Sequence, residues 1–294
     1  MTTPNFESAT ALVAGPSRAV AVEAESTLNE LGFAQVSSAG SLAEGGQLLR
    51  EAPFDLLVLD SAWPDGNASD LITAVRHGEI GANPFLGIVA FGPEPNSPDA
   101  GFIIRHGADA FVAPPLAAVT LLRSLEYLID ARLPFVVTSD YIGPDRRGGD
   151  ARKSLIPLID VPNTLRDKAT GSYDAQAAVR AIASTTTEIN IQKLQRHVEK
   201  VGTLINRVGP DMMVDGVDEK VRTFLEELVF VADDIARRVK GTQFETIVPS
   251  CGRLVSVAKV VHKRTGIPKT KELNQLLDAA QAVMKGFAVV AVGG

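Results

Sequence analysis

One stretch of this 294-residue chain decides its fold, namely Phe54-Asp55-Leu56-Leu57-Val58-Leu59-Asp60-Ser61-Ala62-Trp63-Pro64-Asp65-Gly66-Asn67. The unbroken aliphatic run from Leu56 to Leu59 predicts a strand that is buried on both faces. An acidic residue, Asp60, closes the run, and the turn formers Pro64 and Gly66 follow it. The stretch therefore predicts a buried strand that leads directly into a polar loop.

The sequence on both sides of this strand alternates between apolar runs and stretches with helical spacing. The other apolar runs are Ala11–Ala14, Ala34–Val36, Leu86–Phe91 and Ala110–Val112. Five strands alternating with five helices in ~130 residues predict an α/β domain whose parallel sheet is covered on both faces. In such a sheet, ligand chemistry takes place at the carboxyl ends of the strands.

At those strand ends, residues of about 9–131 resemble the receiver domain of bacterial two-component response regulators. In that family an Asp that ends the third strand accepts a phosphoryl group, and a Pro in the following loop shapes it; Asp60 and Pro64 stand at these positions. A second segment, Gly107–Leu116, resembles the family's Gly-Ala-Asp-x-Tyr-x-x-Lys-Pro-Phe stretch around the fifth strand. The resemblance implies a flavodoxin-like fold with Asp60 as the candidate phosphoacceptor.

The chain departs from the family at the other positions that carry this chemistry. Receivers hold Mg²⁺ with two acidic residues after strand one, where this chain reads Val13-Ala14-Gly15-Pro16-Ser17. They contact the phosphoryl oxygens with a Ser or Thr after strand four, where this chain has Phe91-Gly92. Receivers also place a Lys before the Pro that follows strand five, where this chain has Pro114. Residues 1–152 of this chain contain no lysine.

Phosphoryl transfer depends almost entirely on positioning and on neutralising charge, so a lone Asp60 is expected to be a poor acceptor. We therefore predict a degenerate receiver that serves as an interaction module. Asp60 is then a carboxylate hydrogen-bonded to neighbouring backbone amides. Mg²⁺, held by Asp60, the Ala62 carbonyl and water, is expected only if Asp60 is phosphorylated, and no other metal or cofactor is expected.

Charge is distributed unevenly along the chain. The net charge of −6 combines −11 in residues 1–130 with +5 in residues 131–294. The single Cys251 excludes internal disulfides and thiolate metal clusters, which favours a cytoplasmic location. No apolar run approaches the ~20 residues of a membrane span, so no membrane association is expected.

Periodicity fades after the receiver-like part, which gives predicted domains of 1–131 and 172–294 joined by a linker at 132–171. Turn formers cluster in this linker, and its basic residues begin with Arg146 and Arg147. We predict that it docks on an acidic surface such as the one the receiver-like half offers. A PilZ-type cyclic-dinucleotide motif is disfavoured, because Arg152 comes one residue too late for it and no β-barrel follows.

Residues 172–286 predict four helices of an antiparallel bundle, with breaks near Gly209-Pro210, near Gly241 and at Pro268. We recognise no family in this half. Apolar residues in the first helix repeat at spacings of 3, 4, 3, 4 and 3, as in a heptad seam: Ile191, Leu194, Val198, Val201, Ile205 and Val208. This helix, on the order of 50 Å long, would exceed its neighbours in length, so we predict that the seam forms a homodimer interface.

Two further features of this half admit other functions. Because His197 lies beside the seam, we predict that it is partly exposed. A phosphotransfer role for this histidine would require a different spacing of the Lys and Gly that follow it. Basic residues favour nucleic-acid binding only weakly, since they are spread along the sequence with few aromatic residues among them. They are Arg237, Arg238, Lys240, Arg253, Lys259, Lys263, Arg264, Lys269 and Lys271.

The sequence as a whole predicts a non-enzymatic signalling adaptor, because it contains no nucleotide-binding loop, no metal constellation and no nucleophile–base pair. Its expected partner is a protein, such as a histidine kinase or another signalling protein. One alternative is a response regulator controlled by phosphorylation of Asp60. The other is a nucleic-acid-binding output domain.

Overall fold

The computed structural model describes residues 4–94, 96–147 and 156–292. The chain divides into two compact units, Met1–Ile189 and Asn190–Gly294, and each is described by itself. The first unit therefore extends beyond the predicted boundary at residue 171, because the segment after the sheet packs on the first unit's own core.

A five-stranded parallel sheet forms the centre of the first unit, with the strand order β2-β1-β3-β4-β5. The strands are β1 (Thr10–Ala14), β2 (Gln35–Ala39), β3 (Leu56–Asp60), β4 (Gly87–Phe91) and β5 (Ala110–Val112). This is the flavodoxin-like, doubly wound order, with its switch point between β1 and β3. The prediction of a five-stranded parallel sheet is confirmed.

Helices cover both faces of this sheet, which explains the unbroken aliphatic run in β3. Leu56 and Val58 belong to the core on one face, and Leu57 and Leu59 belong to the core on the other. The covering helices are α1 (Arg18–Glu30), α2 (Leu42–Glu51), α3 (Ala68–Arg76), α4 (Pro98–Arg105) and α5 (Ala118–Asp130).

The segment that follows α5 contains regular structure, so the prediction of a junction without secondary-structure elements was wrong. A three-stranded antiparallel sheet has the order β7-β6-β8 and is followed by a short helix. Its elements are β6 (Phe135–Val137), β7 (Ile142–Pro144), β8 (Leu158–Ile159) and α6 (Thr164–Ala169). The buried ring of Phe135, which packs edge-on against Phe85 with ring centroids 6.0 Å apart, anchors this sheet.

Four α-helices and one 3₁₀ turn (Glu245–Ile247) account for the rest of the described chain: α7 (Ala175–Val214), α8 (Glu219–Arg238), α9 (Val248–His262) and α10 (Thr270–Val292). The predicted break near Gly209-Pro210 was wrong, because α7 continues past Pro210. A proline within a helix removes one hydrogen bond and crowds the carbonyl four residues earlier, which can bend a helix without ending it. No helix among the described residues combines the length and apolar character needed to cross a bilayer.

Gly216, between α7 and α8, has a backbone conformation that only glycine adopts at low cost. Its φ is +77°, and an added Cβ would lie 2.5 Å from the carbonyl carbon of Gly266. We expect Gly216→Ala to lower the free energy of unfolding by about 2 kcal/mol. Urea denaturation followed by circular dichroism measures this change.

Gly252 offers the matched control for this substitution. It lies within α9, and an added Cβ would meet no atom within 4 Å. Gly252→Ala should therefore stabilise the bundle by roughly 0.5–1 kcal/mol, since alanine has the higher helix propensity. An equal response to both substitutions would contradict the strain assigned to Gly216.

Candidate functional site at the carboxyl edge of the sheet

Asp60 ends β3 at the carboxyl edge of the parallel sheet, and the loop that follows holds it in place. One oxygen, Oδ1, accepts a hydrogen bond of 2.9 Å from the Ala62 amide. The Trp63 indole donates a 2.7 Å hydrogen bond to the Asp60 carbonyl. Burial raises the pKa of Asp60, although the amides of Ala62 and Ser61 act in the opposite direction. The predicted hydrogen bonding to neighbouring amides is thus confirmed.

A hydrocarbon surface faces Asp60 where receivers have their metal-binding carboxylates. A Cβ added to Gly15 would lie 3.6 Å from the Phe91 ring and 3.9 Å from Asp60 Oδ2. Phe91 is directly opposite Asp60 in the register of β3 and β4, and it is buried. Within the described ranges, no group of three or more His, Cys, Asp or Glu side chains could hold a metal ion.

The space next to Gly92, the first residue after β4, is also occupied. A Cβ added to Gly92 would overlap Ser61 Oγ and would lie 3.0 Å from the Phe111 ring. A Ser or Thr at this position would therefore require the Ser61 hydroxyl to rotate out of this space. The sequence shows that the hydroxyl is absent, but it does not show that another side chain occupies its space.

The described lysine nearest the start of the chain, Lys168, lies at the opposite edge of the sheet. Its ammonium forms an ion pair of 2.7 Å with Asp55, the residue just before β3. At ~3.3 Å per residue, Asp55 and Asp60 are about 16 Å apart, so Lys168 cannot contact a phosphoryl group on Asp60. Pro64 lies in the exposed loop before α3, and its loop-shaping role stays a prediction.

The first unit combines the strand order β2-β1-β3-β4-β5 with an acidic residue that closes β3. Residues 10–130 have the receiver fold.

Solved receiver structures are similar to this part of the chain. Chemotaxis protein CheY4 of Vibrio cholerae shares 24% identity over 40% of this chain and 96% of its own, with a TM-score of 0.36. A CheY-like receiver protein from Methanospirillum hungatei shares 19% identity over 40% of this chain and 90% of its own, with a TM-score of 0.36. The receiver domain of the TMAO respiratory response regulator TorR shares 23% identity over 40% of this chain and 95% of its own, with a TM-score of 0.36. No protein-family model and no curated protein matches the chain.

A buried charge cluster joins the part of the chain with the receiver fold to the small sheet that follows it. Asp109 Oδ2 lies 2.8 Å from Arg76 Nη2, and Asp109 Oδ1 lies 2.8 Å from Arg132 Nε. Both guanidiniums also stack near the Phe135 ring, at 5.1 and 5.2 Å from its centroid. Because Arg76 and Arg132 come at helix ends, the sequence gives no signal that they are buried together.

The protonation states within this cluster are fixed by its charges. Burial alone would raise the pKa of Asp109, but Arg132 and Arg76 outweigh that effect and leave its pKa below the usual value. Burial lowers the pKa of Arg76 to about 10, which still leaves it charged at neutral pH. The cluster is therefore ionic and contributes to folding rather than to chemistry at Asp60.

His197 is buried, so the prediction of a partly exposed helix position was wrong. Its Nε2 lies 2.7 Å from Asp234 Oδ2 on α8, and Arg238 Nε lies 2.8 Å from the same oxygen. Its Nδ1 is buried without a hydrogen-bond partner in the part of the chain that the structure describes. Phosphotransfer requires contact with another protein, and a histidine with 0% exposure is not available for it.

The heptad seam of α7 faces the core of the second unit. Leu194, Val201 and Ile205 are buried within that core, Val198 packs against it, and Ile191 is exposed at the surface. The side chain of the sixth member, Val208, lies outside the described residues. The assignment of this seam to a dimer interface was therefore wrong, because α8, α9 and α10 already supply the apolar surface that covers the seam.

Proposed function

We propose that this protein is a non-enzymatic signalling adaptor whose receiver domain binds a partner protein without accepting a phosphoryl group. The observation that supports this is the surrounding of Asp60, in which Gly15 lies where receivers have a metal-binding carboxylate and the buried Phe91 ring lies beside it. The second unit is the proposed dimerisation and partner-binding module. Its expected partner is a histidine kinase or another cytoplasmic signalling protein.

Asp60 lacks the positive charge that phosphoryl transfer requires. A phosphoryl group that approaches a carboxylate brings further negative charge, and receivers neutralise it with a metal ion and a lysine. Asp60 has a hydrocarbon neighbour instead of the metal ligands, and the nearest described lysine pairs with Asp55 at the far edge. Preorganised charge is the largest single contribution to such reactions, so its loss should leave transfer negligibly slow.

Incubation with acetyl phosphate and Mg²⁺ tests this function, with intact-mass spectrometry as the measurement. We expect the wild-type chain to gain no phosphoryl mass under conditions in which an intact receiver domain becomes modified. Asp60→Asn is the matched control, since it keeps the size of the side chain and removes the nucleophile. A mass gain in the wild type that Asp60→Asn abolishes would refute the proposal.

That same result would support the alternative, a response regulator controlled by phosphorylation of Asp60. One observation favours this alternative: Asp60 keeps its place at the carboxyl edge, with an oxygen bonded to the Ala62 amide. Mg²⁺ would then be held by Asp60, the Ala62 carbonyl and water. The experiment above distinguishes the two functions directly.

The fourfold variant Gly15→Asp, Gly92→Thr, Ser61→Ala and Pro114→Lys tests the geometric reasoning. Ser61→Ala is included because its hydroxyl occupies the space that a side chain at position 92 needs. We expect this variant to gain more phosphoryl mass than the version that retains Ser61. The same yield with and without Ser61→Ala would contradict the steric role given to Ser61.

We propose Phe230 on α8 as the apolar anchor of a homodimer. Its side chain is 63% exposed, while its helix neighbours on the exposed face, Glu226 and Asp233, are charged. Exposed aromatic residues are common anchors of protein interfaces. We expect Phe230→Glu to weaken self-association at least tenfold, measured by light scattering of the full chain over a concentration series. A wild-type monomer at all concentrations would refute the dimer.

Nucleic-acid binding is the weaker alternative for the second unit. Of its basic residues, Arg238 is buried against Asp234, and Arg264 pairs with Glu272. Phosphate contacts need basic side chains that are free to concentrate on one surface. Binding of a nonspecific DNA duplex that weakens with added salt would favour this function over the adaptor.

A further inference from the structure

A pocket of about 450 Å³ lies at the amino-terminal edge of the receiver sheet. The loops that precede β3 and β4 form its floor, and α6 and the first turns of α7 form its walls. Its lining includes Phe54, Asp55, Asn83, Lys168, Tyr173 and Ile182. Asp55 comes before β3 and Asp60 ends it, so this pocket is separate from the site at the carboxyl edge.

Most of the lining is apolar, and part of it is exposed where it borders the pocket. Phe54 and Ile182 contribute hydrocarbon surface to the walls. Tyr173 and Val179 remain 40% and 67% exposed beside it. A folded protein exposes apolar side chains around a concave pocket at a cost in free energy, and a ligand that covers them recovers it.

One polar anchor is built into this apolar surface. Lys168 Nζ lies 2.7 Å from Asp55 Oδ2, and that oxygen also accepts hydrogen bonds from the amide and hydroxyl of Thr10 at 2.8 and 3.0 Å. The same ammonium lies 4.9 Å from the centre of the Tyr173 ring. The anchor is rigid because each of its parts is held by another element of the fold.

In this arrangement Lys168 would donate the hydrogen bond to a ligand, and the ligand would accept it. A lysine ammonium has three N–H donors and no acceptor, and Asp55 takes one of them. Because Asp55 balances the charge of Lys168, the pocket does not require a ligand of high charge. A larger recess of about 590 Å³ on the same unit is lined by Asp130, Arg132, Asp160 and Arg166, and it lacks this combination of apolar walls with one anchor.

We propose that this pocket binds a mainly apolar small molecule whose polar end accepts a hydrogen bond from Lys168. The volume lies within the range of ~300–1,000 Å³ that is usual for small-molecule sites. The ligand would contact the receiver loops, α6 and α7 at once, so its binding would stabilise the position of the first part of α7 on the receiver domain.

Two fluorescent naphthalene probes test the site on the full chain. They are 8-anilinonaphthalene-1-sulfonate, which carries an acceptor group, and N-phenyl-1-naphthylamine, which lacks it. We expect saturable binding of the sulfonate probe at one site per chain, at least fivefold tighter than that of the amine. No saturable binding, or equal affinity for the two probes, would overturn the proposal.

The matched variants are Ala183→Phe, which fills the pocket, and Ala177→Phe, which lies outside its lining. Both alanines are exposed on α7, so both variants are expected to fold. Ala183→Phe should weaken binding of the sulfonate probe at least tenfold, and Ala177→Phe should leave it unchanged. Equal effects of the two variants, or a change in oligomeric mass with Ala183→Phe, would assign this surface to another role and refute the site.

Discussion

Replacing Asp109 by Ala is expected to lower the free energy of unfolding of the first unit by about 3–5 kcal/mol. The substitution leaves Arg76 and Arg132 buried beside each other without the carboxylate that compensates both. It also removes an acceptor from the Ile88 amide, which donates a 2.8 Å hydrogen bond to Asp109 Oδ2. The single tryptophan, Trp63, lies in this unit, so urea denaturation followed by its fluorescence measures the change.

Asp130→Ala is the control for Asp109, because Asp130 is exposed at the end of α5 and should change stability by less than about 0.5 kcal/mol. The pKa of Asp109 is lowered in the folded state. Its contribution is therefore present above the unfolded value of about 3.9 and lost as the pH falls below it. A loss from Asp109→Ala no larger than that from Asp130→Ala would contradict the role of the buried cluster.

The second large effect is expected from Asp234→Ala, which should destabilise the second unit by about 3–5 kcal/mol. The two carboxylate oxygens of Asp234 pair with the side chains of His197, Arg237 and Arg238. Without it, the buried Arg238 loses the acceptor of its Nε and keeps the bond of 2.7 Å from Nη1 to Asn190 Oδ1. Circular dichroism follows this transition, and Asp233→Ala at the neighbouring exposed position is the control.

The same site predicts a pH dependence. Burial lowers the pKa of His197, and Lys193 and Arg238 add to this effect, whereas Asp234 opposes it. The unfolded chain therefore binds a proton at about pH 6.5 that the folded chain does not, so stability falls as the pH drops below that value. For one proton the slope is at most about 1.4 kcal/mol per pH unit.

His197→Gln separates this effect from other titrations. Glutamine can still donate a hydrogen bond to Asp234 but does not titrate, so the slope between about pH 8 and 5.5 should become shallower. His262→Gln is the matched control, because His262 is only partly buried and pairs with Glu226. An unchanged slope in His197→Gln would show that the buried histidine is not the source.

The receiver fold could be predicted because its signals are local. A run such as Leu56–Leu59 is apolar on both faces only when helices cover both faces of a sheet, and the Asp60 loop follows at a fixed place. The absence of the metal-binding carboxylates, of the hydroxyl after strand four and of the lysine after strand five could also be read directly from the sequence. The breaks near Gly241 and Pro268 agree with the ends of α8, α9 and α10 because glycine and proline act locally.

The parts that could not be predicted depend on contacts between distant residues. The ring of Phe135 lies beside both Arg76 and Arg132, and the residues next to it in the sequence do not indicate that these two distant side chains meet there. His197 is buried because Asp234, on another helix, supplies an acceptor for it. The α7 seam predicts an apolar face, but a spacing pattern does not distinguish helices of the same chain from those of a second copy.

The contact between Ser61 and the space beside Gly92 has a consequence for how this protein can evolve. A Ser or Thr introduced alone at position 92 overlaps Ser61 Oγ, so the Ser61 side chain must rotate away before the new hydroxyl can be accommodated. If the protein has the proposed function, a working phosphoacceptor would therefore be regained more readily by substitutions at positions 61 and 92 together than by either one alone.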